Sequence, residues 1–160
     1  MFPAPRRNVV TAALWFGLLP SAMAGGAEVL ARLRGADFKG GANAKFGSTF
    51  HGRDDVNYVY AQATGASSSM RAAFALQSVP REPIFLYLEA MDDDPPETCK
   101  VRVALNGRAL LEGPSGFVSG AWQVRRILVP PDALKAGENE VVVANCEAKG
   151  PPAATNFPAS

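Results

Sequence analysis

Apolar and polar residues alternate with a period of two along most of the chain, in short segments bounded by Gly, Pro, Asn or Asp. In segment 70–77 the large residues Met70, Phe74 and Leu76 share one face, and the intervening positions are small or polar. Such alternation is typical of a β-strand with one buried face. Segment 84–91 is apolar on both faces, which predicts a strand in the middle of a packed sheet.

Asn106 and Gly107 both tolerate positive φ and predict a type I′ turn, which would join a strand over 99–105 to one over 108–112. Segment 122–129 breaks the alternation at Arg125-Arg126. A β-bulge there is predicted to turn four large residues inward: Trp122, Val124, Ile127 and Val129.

Three further segments, 28–33, 56–63 and 139–146, are also typical of strands, and no segment has the period of a helix of normal length. About eight short strands predict an all-β fold. We expect a two-sheet antiparallel β-sandwich of the jelly-roll kind rather than a barrel or an α/β fold.

The first 24 residues predict an export signal that is removed after Ala24. Arg6 and Arg7 precede an apolar stretch over 9–19, and small residues follow it. Eleven apolar residues are too few to cross a bilayer as a helix, which needs about 20. We therefore expect a periplasmic or secreted protein with no membrane contact in its mature form, exported by the general or the twin-arginine route.

Removal of this signal from the 160 residues leaves 136, enough for one domain over 25–149. The composition, with 48% hydrophobic and 19% charged residues, is that of an ordinary folded domain. Residues 150–160 hold three prolines and no strand pattern, which predicts a loose tail. Without Arg6 and Arg7 the 16 basic residues fall to 14 against 15 acidic ones, so nothing indicates nucleic-acid binding.

The chain has two cysteines, and an oxidising compartment would allow a disulfide between them. Cys99 begins one predicted strand and Cys146 ends another, so antiparallel neighbours would bring the sulfurs together. The alternative is two buried thiols. A catalytic cysteine is disfavoured, because His51 is the single imidazole and no predicted strand carries both groups.

Four segments give residues 85–145 a resemblance to the galactose-binding-domain-like β-jelly-roll, an accessory sugar-binding domain of glycoside hydrolases. They are 92–95 (DDDP), 103–107 with 112–114 (VALNG and EGP), Trp122 before an Ile-x-Val-Pro strand, and 134–141 (LKAGENEV). The last is the most specific, since its Gly and Asn would make the turn into a strand. The resemblance implies a jelly-roll fold, carbohydrate binding without catalysis, no cofactor, and often a structural calcium ion.

The chain departs from this family after Gly150-Pro151-Pro152, where relatives continue with an aromatic strand that closes one sheet. Either this end is truncated or divergent, or a protein partner or a second copy covers the open edge, which would otherwise invite strand pairing.

Sugars are bound by aromatic faces and by carboxylates or amides that accept hydrogen bonds from hydroxyls. The candidates for such a site are Tyr58, Tyr60, Trp122, His51, Asp54 and Asp55. Trp122 begins an inward-facing strand, so core packing competes with a sugar platform. The two tyrosines fit either role equally, and the Gly-rich loop that holds His51 is either a binding loop or a solvated one.

Asp92, Asp93 and Asp94 form a run of carboxylates that a calcium ion would relieve of mutual repulsion, although the spacing is not that of an EF-hand. The alternative is a solvated turn in which the carboxylates cap backbone amides. The sequence has no nucleophile elbow and no phosphate-binding loop, so an enzyme is disfavoured. The sequence therefore predicts a carbohydrate-binding module, with a protein-interaction sandwich that docks a partner through its open edge as the alternative.

Overall fold

The computed structural model describes residues 13–18, 29–44, 53, 56–61, 68–92, 99–148 and 156–159. The strands are β1 (Ala13–Leu18), β2 (Val29–Leu33), β3 (Lys39–Gly40), β4 (Ala42–Ala44), β5 (Val56–Tyr60), β6 (Ser69–Leu76), β7 (Ile84–Ala90), β8 (Lys100–Leu105), β9 (Arg108–Pro114), β10 (Gln123–Val129), β11 (Gly137–Asn145) and β12 (Asn156–Ala159). The helical segments within these ranges are two 3-10 turns, at Gly35–Asp37 and Pro131–Ala133. Neither these turns nor any other described segment is a helix long and apolar enough to span a membrane.

The strands form two antiparallel sheets. The first has seven strands in the order β2-β1-β7-β12-β5-β4, with β10 also paired to β7, and the second has five in the order β3-β6-β11-β8-β9. The predicted two-sheet β-sandwich is therefore confirmed.

The core lies between the sheets and follows from the alternation in the sequence. In β6 the buried positions include Met70 and Phe74, while their neighbours along the strand are exposed. In β7 the buried positions include Leu86 and Leu88, and both side chains are fully buried. These inward rows belong to one hydrophobic cluster, so burial of the two faces against each other drives the sandwich together.

The predicted turns are present. Asn106 (φ 50°) and Gly107 (φ 83°) both adopt the left-handed conformation that a type I′ turn requires, and β8 pairs with β9 around them. The LKAGENEV segment turns at Gly137 (φ 86°), which is the first residue of β11.

The predicted bulge at Arg125-Arg126 is wrong. β10 pairs with β7 without interruption, from Gln123 opposite Ala90 to Val129 opposite Ile84. Val124 consequently points outward and is 52% exposed. No bulge is needed, because Arg125 takes an inward position of β10 and its guanidinium donates a hydrogen bond to the Ser115 carbonyl.

The predicted disulfide does not form; Cys99 and Cys146 are both thiols. The expected antiparallel pairing of β8 and β11 is present, but Asn145 lies opposite Val101, which places Cys146 beyond it and opposite Lys100. Neighbouring residues of a strand point to opposite faces. Cys99 is accordingly buried in the core, whereas Cys146 is half-buried on the outer face.

Both ends of the chain contribute strands to the first sheet. Residues Ala13–Leu18, within the apolar stretch of the predicted export signal, form β1, and removal of the signal after Ala24 stays a prediction. Asn156–Ala159 lies in the predicted loose tail but forms β12, which pairs with β5 and touches β7 at Ala90. The prediction was wrong for these four residues because strand pairing uses backbone groups that composition does not reveal.

Candidate functional site

The loop between β9 and β10 is fixed to the end of β7 by Asp92. The fully buried carboxylate of Asp92 accepts a hydrogen bond from the Ser115 hydroxyl (2.7 Å) and one from the backbone N–H of Cys99 (2.8 Å) through the same oxygen, Oδ2. Its backbone carbonyl accepts a third from the N–H of Gly120 (2.8 Å). The loop is thereby held in a defined position at one end of the sandwich.

Gly116, in this loop, lies against the Arg125 side chain of β10. Gly116 has φ 70°, and a Cβ atom there would lie 2.8 Å from Nη1 of Arg125. The same Nη1 donates to the Ser115 carbonyl. Gly116 therefore provides both the left-handed backbone and the space that the guanidinium occupies.

Trp122 follows this loop and meets a charged pair. Its ring is packed against the core on one side, and the Arg53 guanidinium lies 5.9 Å from its centroid. Arg53 also forms an ion pair with Glu89, the outward-facing residue near the end of β7. Since the Arg53 side chain is 46% exposed and that of Glu89 is 17% exposed, the pair lies at the surface with its carboxylate partly covered.

This cluster of Trp122, Arg53 and Glu89 joins an aromatic face to a donor and an acceptor. The ring supplies a flat apolar surface, the guanidinium offers several N–H donors, and the carboxylate accepts hydrogen bonds. Such a combination suits a neutral ligand that has both C–H and O–H groups on one face.

The predicted sugar-binding residues differ in how exposed they are and in whether their side chains are described. Trp122 is half-buried, so it combines core packing with an accessible part. Tyr58 is only 8% exposed, so its burial favours core packing, one of its two predicted roles, over an exposed platform, because both faces of β5 are covered there. Tyr60 has its backbone in β5, and its side chain lies outside the described part of the chain, as do His51, Asp54 and Asp55.

Arg53 ends the Gly-rich segment that was predicted to be a binding or a solvated loop, and its guanidinium lies beside Trp122. Sequence reasoning missed both Arg53 and Glu89 as site residues. The available signal was Glu89, the single charged residue in the apolar strand IFLYLEA.

Asp92 belongs to the hydrogen-bonding network described above, and Asp93 and Asp94 lie outside the described residues. Within the described ranges, no group of three or more His, Cys, Asp or Glu side chains is placed to hold a metal. Calcium at this run stays a prediction, which a comparison of thermal stability in calcium and in chelator would test.

A concave surface lies on the outer face of the five-stranded sheet. It encloses about 520 Å³ and is lined by Lys39, Gly40, Ser68, Ser69, Arg71, Glu140 and Val142. The lining offers charges and hydroxyls without an aromatic ring, so the Trp122 cluster suits a sugar better.

The chain is similar to a family 35 carbohydrate-binding module from an environmental isolate, with 18% sequence identity, a TM-score of 0.47, and coverage of 76% of this chain and 84% of that one. No family model matches the sequence, and no curated protein matches it.

Proposed function

We propose that this protein is an exported, non-catalytic carbohydrate-binding module that holds its glycan with the loops at one end of the sandwich. The observation that supports the proposal is the cluster of Trp122, Arg53 and Glu89 beside the loop that Asp92 fixes.

The proposed contact uses the accessible part of the Trp122 ring against the C–H face of a pyranose. Arg53 donates to ring or hydroxyl oxygens, and Glu89 accepts from a hydroxyl. An open surface with few such groups gives shallow, weak binding, because each hydrogen bond replaces one to water and contributes only about 1 kcal/mol.

The carboxylates near the cluster support binding rather than hydrolysis. A glycosidase needs two carboxyl groups about 5 to 9 Å apart across a cleft. Glu89 is tied to a guanidinium, and Asp92 is fully buried under hydrogen bonds from the loop.

Affinity electrophoresis of the exported protein in gels that contain soluble polysaccharides tests the proposal. We expect at least one polysaccharide to retard the protein and Trp122→Ala to abolish the retardation. Because Trp122 also packs against the core, Arg53→Gln and Glu89→Gln provide surface variants that fold normally and bind less. Leu128→Ala is the matched control, since that side chain is exposed on β10, the strand that follows Trp122, and takes no part in the cluster.

Migration unchanged in every polysaccharide would contradict the proposal. Equal retardation of the wild type and of all three cluster variants would instead indicate that the glycan binds elsewhere on the domain.

A second candidate function is a protein-interaction sandwich. It is favoured by β10, which pairs only with β7 among the described strands and exposes Val124 (52%) and Leu128 (59%). An unpaired strand edge with apolar side chains is a common docking surface for another chain. A stable complex without any glycan binding would favour this candidate over the first.

A further inference from the structure

The strand β1 occupies a slot between two other strands of the seven-stranded sheet. It pairs with β7 over six residues, from Ala13 opposite Glu89 to Leu18 opposite Ile84. On its other side it pairs with β2, from Leu14 opposite Leu33 to Gly17 opposite Val29. Each edge of β1 is thus hydrogen-bonded to a neighbour.

Removal of the predicted export signal after Ala24 would take β1 away and leave this slot open. Among the described strands, β2 is joined to the sheet through β1 alone. β2 runs parallel to β7, because each is antiparallel to β1. To close the gap, β2 would have to move by about one strand spacing, ~4.8 Å, and form a parallel pair.

β12 and β1 pair with the same edge of β7, one after the other. Ala159 of β12 lies opposite Ala90 of β7, and Ala13 of β1 lies opposite Glu89, the next residue along. Both strands are antiparallel to β7, so one follows the other along the same edge. Without β1, that edge would keep its pairing at Ala90 and lose it from Glu89 to Ile84.

We propose that, in the processed protein, this slot accepts an extended apolar strand of a partner protein, antiparallel to β7. The inference depends on removal of the leader and is independent of glycan binding. The occupant's chemistry follows from the walls: two strand edges supply backbone donors and acceptors, and β7 presents Ile84, Leu86 and Leu88 to the core. The partner strand therefore has large apolar residues at alternate positions, as the leader has Leu14, Phe16 and Leu18 in register with these three.

The test uses protein that has been exported and processed from the full chain, with its N-terminus established by intact mass. The probe is a fluorescent peptide of residues 13–18 with flanking lysines for solubility. A control peptide carries serine in place of Leu14, Phe16 and Leu18, which removes the apolar side chains and keeps the backbone. Fluorescence anisotropy measures binding, and hydrogen exchange of the β7 amides reports where the peptide lies.

We expect saturable binding of one peptide per chain, and binding of the serine peptide at least about tenfold weaker. The β7 amides that point toward the slot should exchange at least about tenfold more slowly with the peptide than without it. The β7 amides that point toward β10 remain protected in both cases and are the internal reference.

Four results would overturn the proposal. They are retention of the leader in the exported protein, slow exchange of the slot-facing amides without peptide, equal binding of the two peptides, and a stable dimer in which a second copy fills the slot.

Discussion

The side chains of Asn106 and Asn139 form a direct hydrogen bond, with Nδ2 of Asn106 2.8 Å from Oδ1 of Asn139. Asn106 also donates to the Ala133 carbonyl (2.8 Å) and accepts from the N–H of Glu140 (3.0 Å). The hairpin turn between β8 and β9 is thereby tied to the turn that leads into β11.

Asn139→Leu should lower the free energy of unfolding by about 2 to 4 kcal/mol. The Asn139 amide accepts from the backbone N–H of Lys135 and donates to the carbonyls of Lys135 and Gly137, and leucine leaves these groups without that partner. Urea denaturation measures the change. Glu138→Gln, on the exposed neighbouring residue, should stay within about 0.5 kcal/mol of the wild type. A loss that small for Asn139→Leu would contradict the role of the network.

The bond between Asp92 and Ser115 should appear as a coupling energy. We expect Asp92→Ala and Ser115→Ala each to destabilise the protein, and the double variant to lose about 1 to 2 kcal/mol less than the sum of the two. The reason is that both substitutions remove the same 2.7 Å hydrogen bond. Additive losses in a double-mutant cycle would show that the two residues act independently.

Gly116→Ala should destabilise the domain more than Gly120→Ala. Both glycines have φ 70°, so both substitutions incur the left-handed backbone cost of about 1 to 2 kcal/mol. A Cβ at Gly120 meets no atom within 4 Å, whereas one at Gly116 lies 2.8 Å from the Arg125 guanidinium.

Thermal unfolding of the two alanine variants and of Gly116→Ala in an Arg125→Ala background separates these contributions. We expect the excess cost at Gly116 to vanish in that background. Equal losses for the two glycines in the wild-type background would show that the guanidinium moves without cost.

Tyr58→Ala should cost about 3 to 5 kcal/mol of stability, because it empties a buried site in β5. Tyr58→Phe is the volume-matched control and should retain most of the stability and any glycan binding. Urea denaturation together with affinity electrophoresis distinguishes the roles. A Tyr58→Ala protein that is stable but no longer binds would indicate that the tyrosine contributes to glycan binding and not to core packing.

We expect a thiol reagent to find two free thiols per chain in the denatured exported protein, since the strand register separates Cys99 from Cys146. In the folded protein, burial raises the pKa of the Cys146 thiol, with a further rise from the Glu112 carboxylate, and Arg102 acts in the opposite sense. Alkylation of Cys146 by iodoacetamide should therefore be slower than that of a free thiol at mildly alkaline pH, and Glu112→Gln should accelerate it.

Because the folded pKa of Cys146 lies above the unfolded one, this thiol stabilises the fold below the unfolded pKa, and the contribution is lost as pH rises through the folded pKa. A denatured exported protein without titratable thiols would contradict the register.

The elements that sequence predicted well are those whose local pattern decides their structure. Alternation in β6, the two-sided apolar run of β7 and the Asn106-Gly107 turn were all predicted correctly. Each depends on side-chain period or on the φ preference of one or two residues.

The elements that sequence predicted poorly depend on register and on distant contacts. Cys146 misses Cys99 by one position along β11, which the composition of either strand does not encode. Arg125 faces inward because a loop carbonyl lies within reach. Arg53 meets Trp122 and Glu89 through contacts between segments that are distant in the sequence.

The hydrogen bonds between Asp92 and the loop also bear on how strongly the glycan site proposed at the Trp122 cluster would hold its ligand. Because the loop between β9 and β10 is already ordered, it would lose little conformational entropy when a ligand binds. The small number of contacts would then limit the affinity of one copy of the domain. Display of several copies on one particle, against a polymer with repeated units, would raise the overall avidity steeply without any change in the domain.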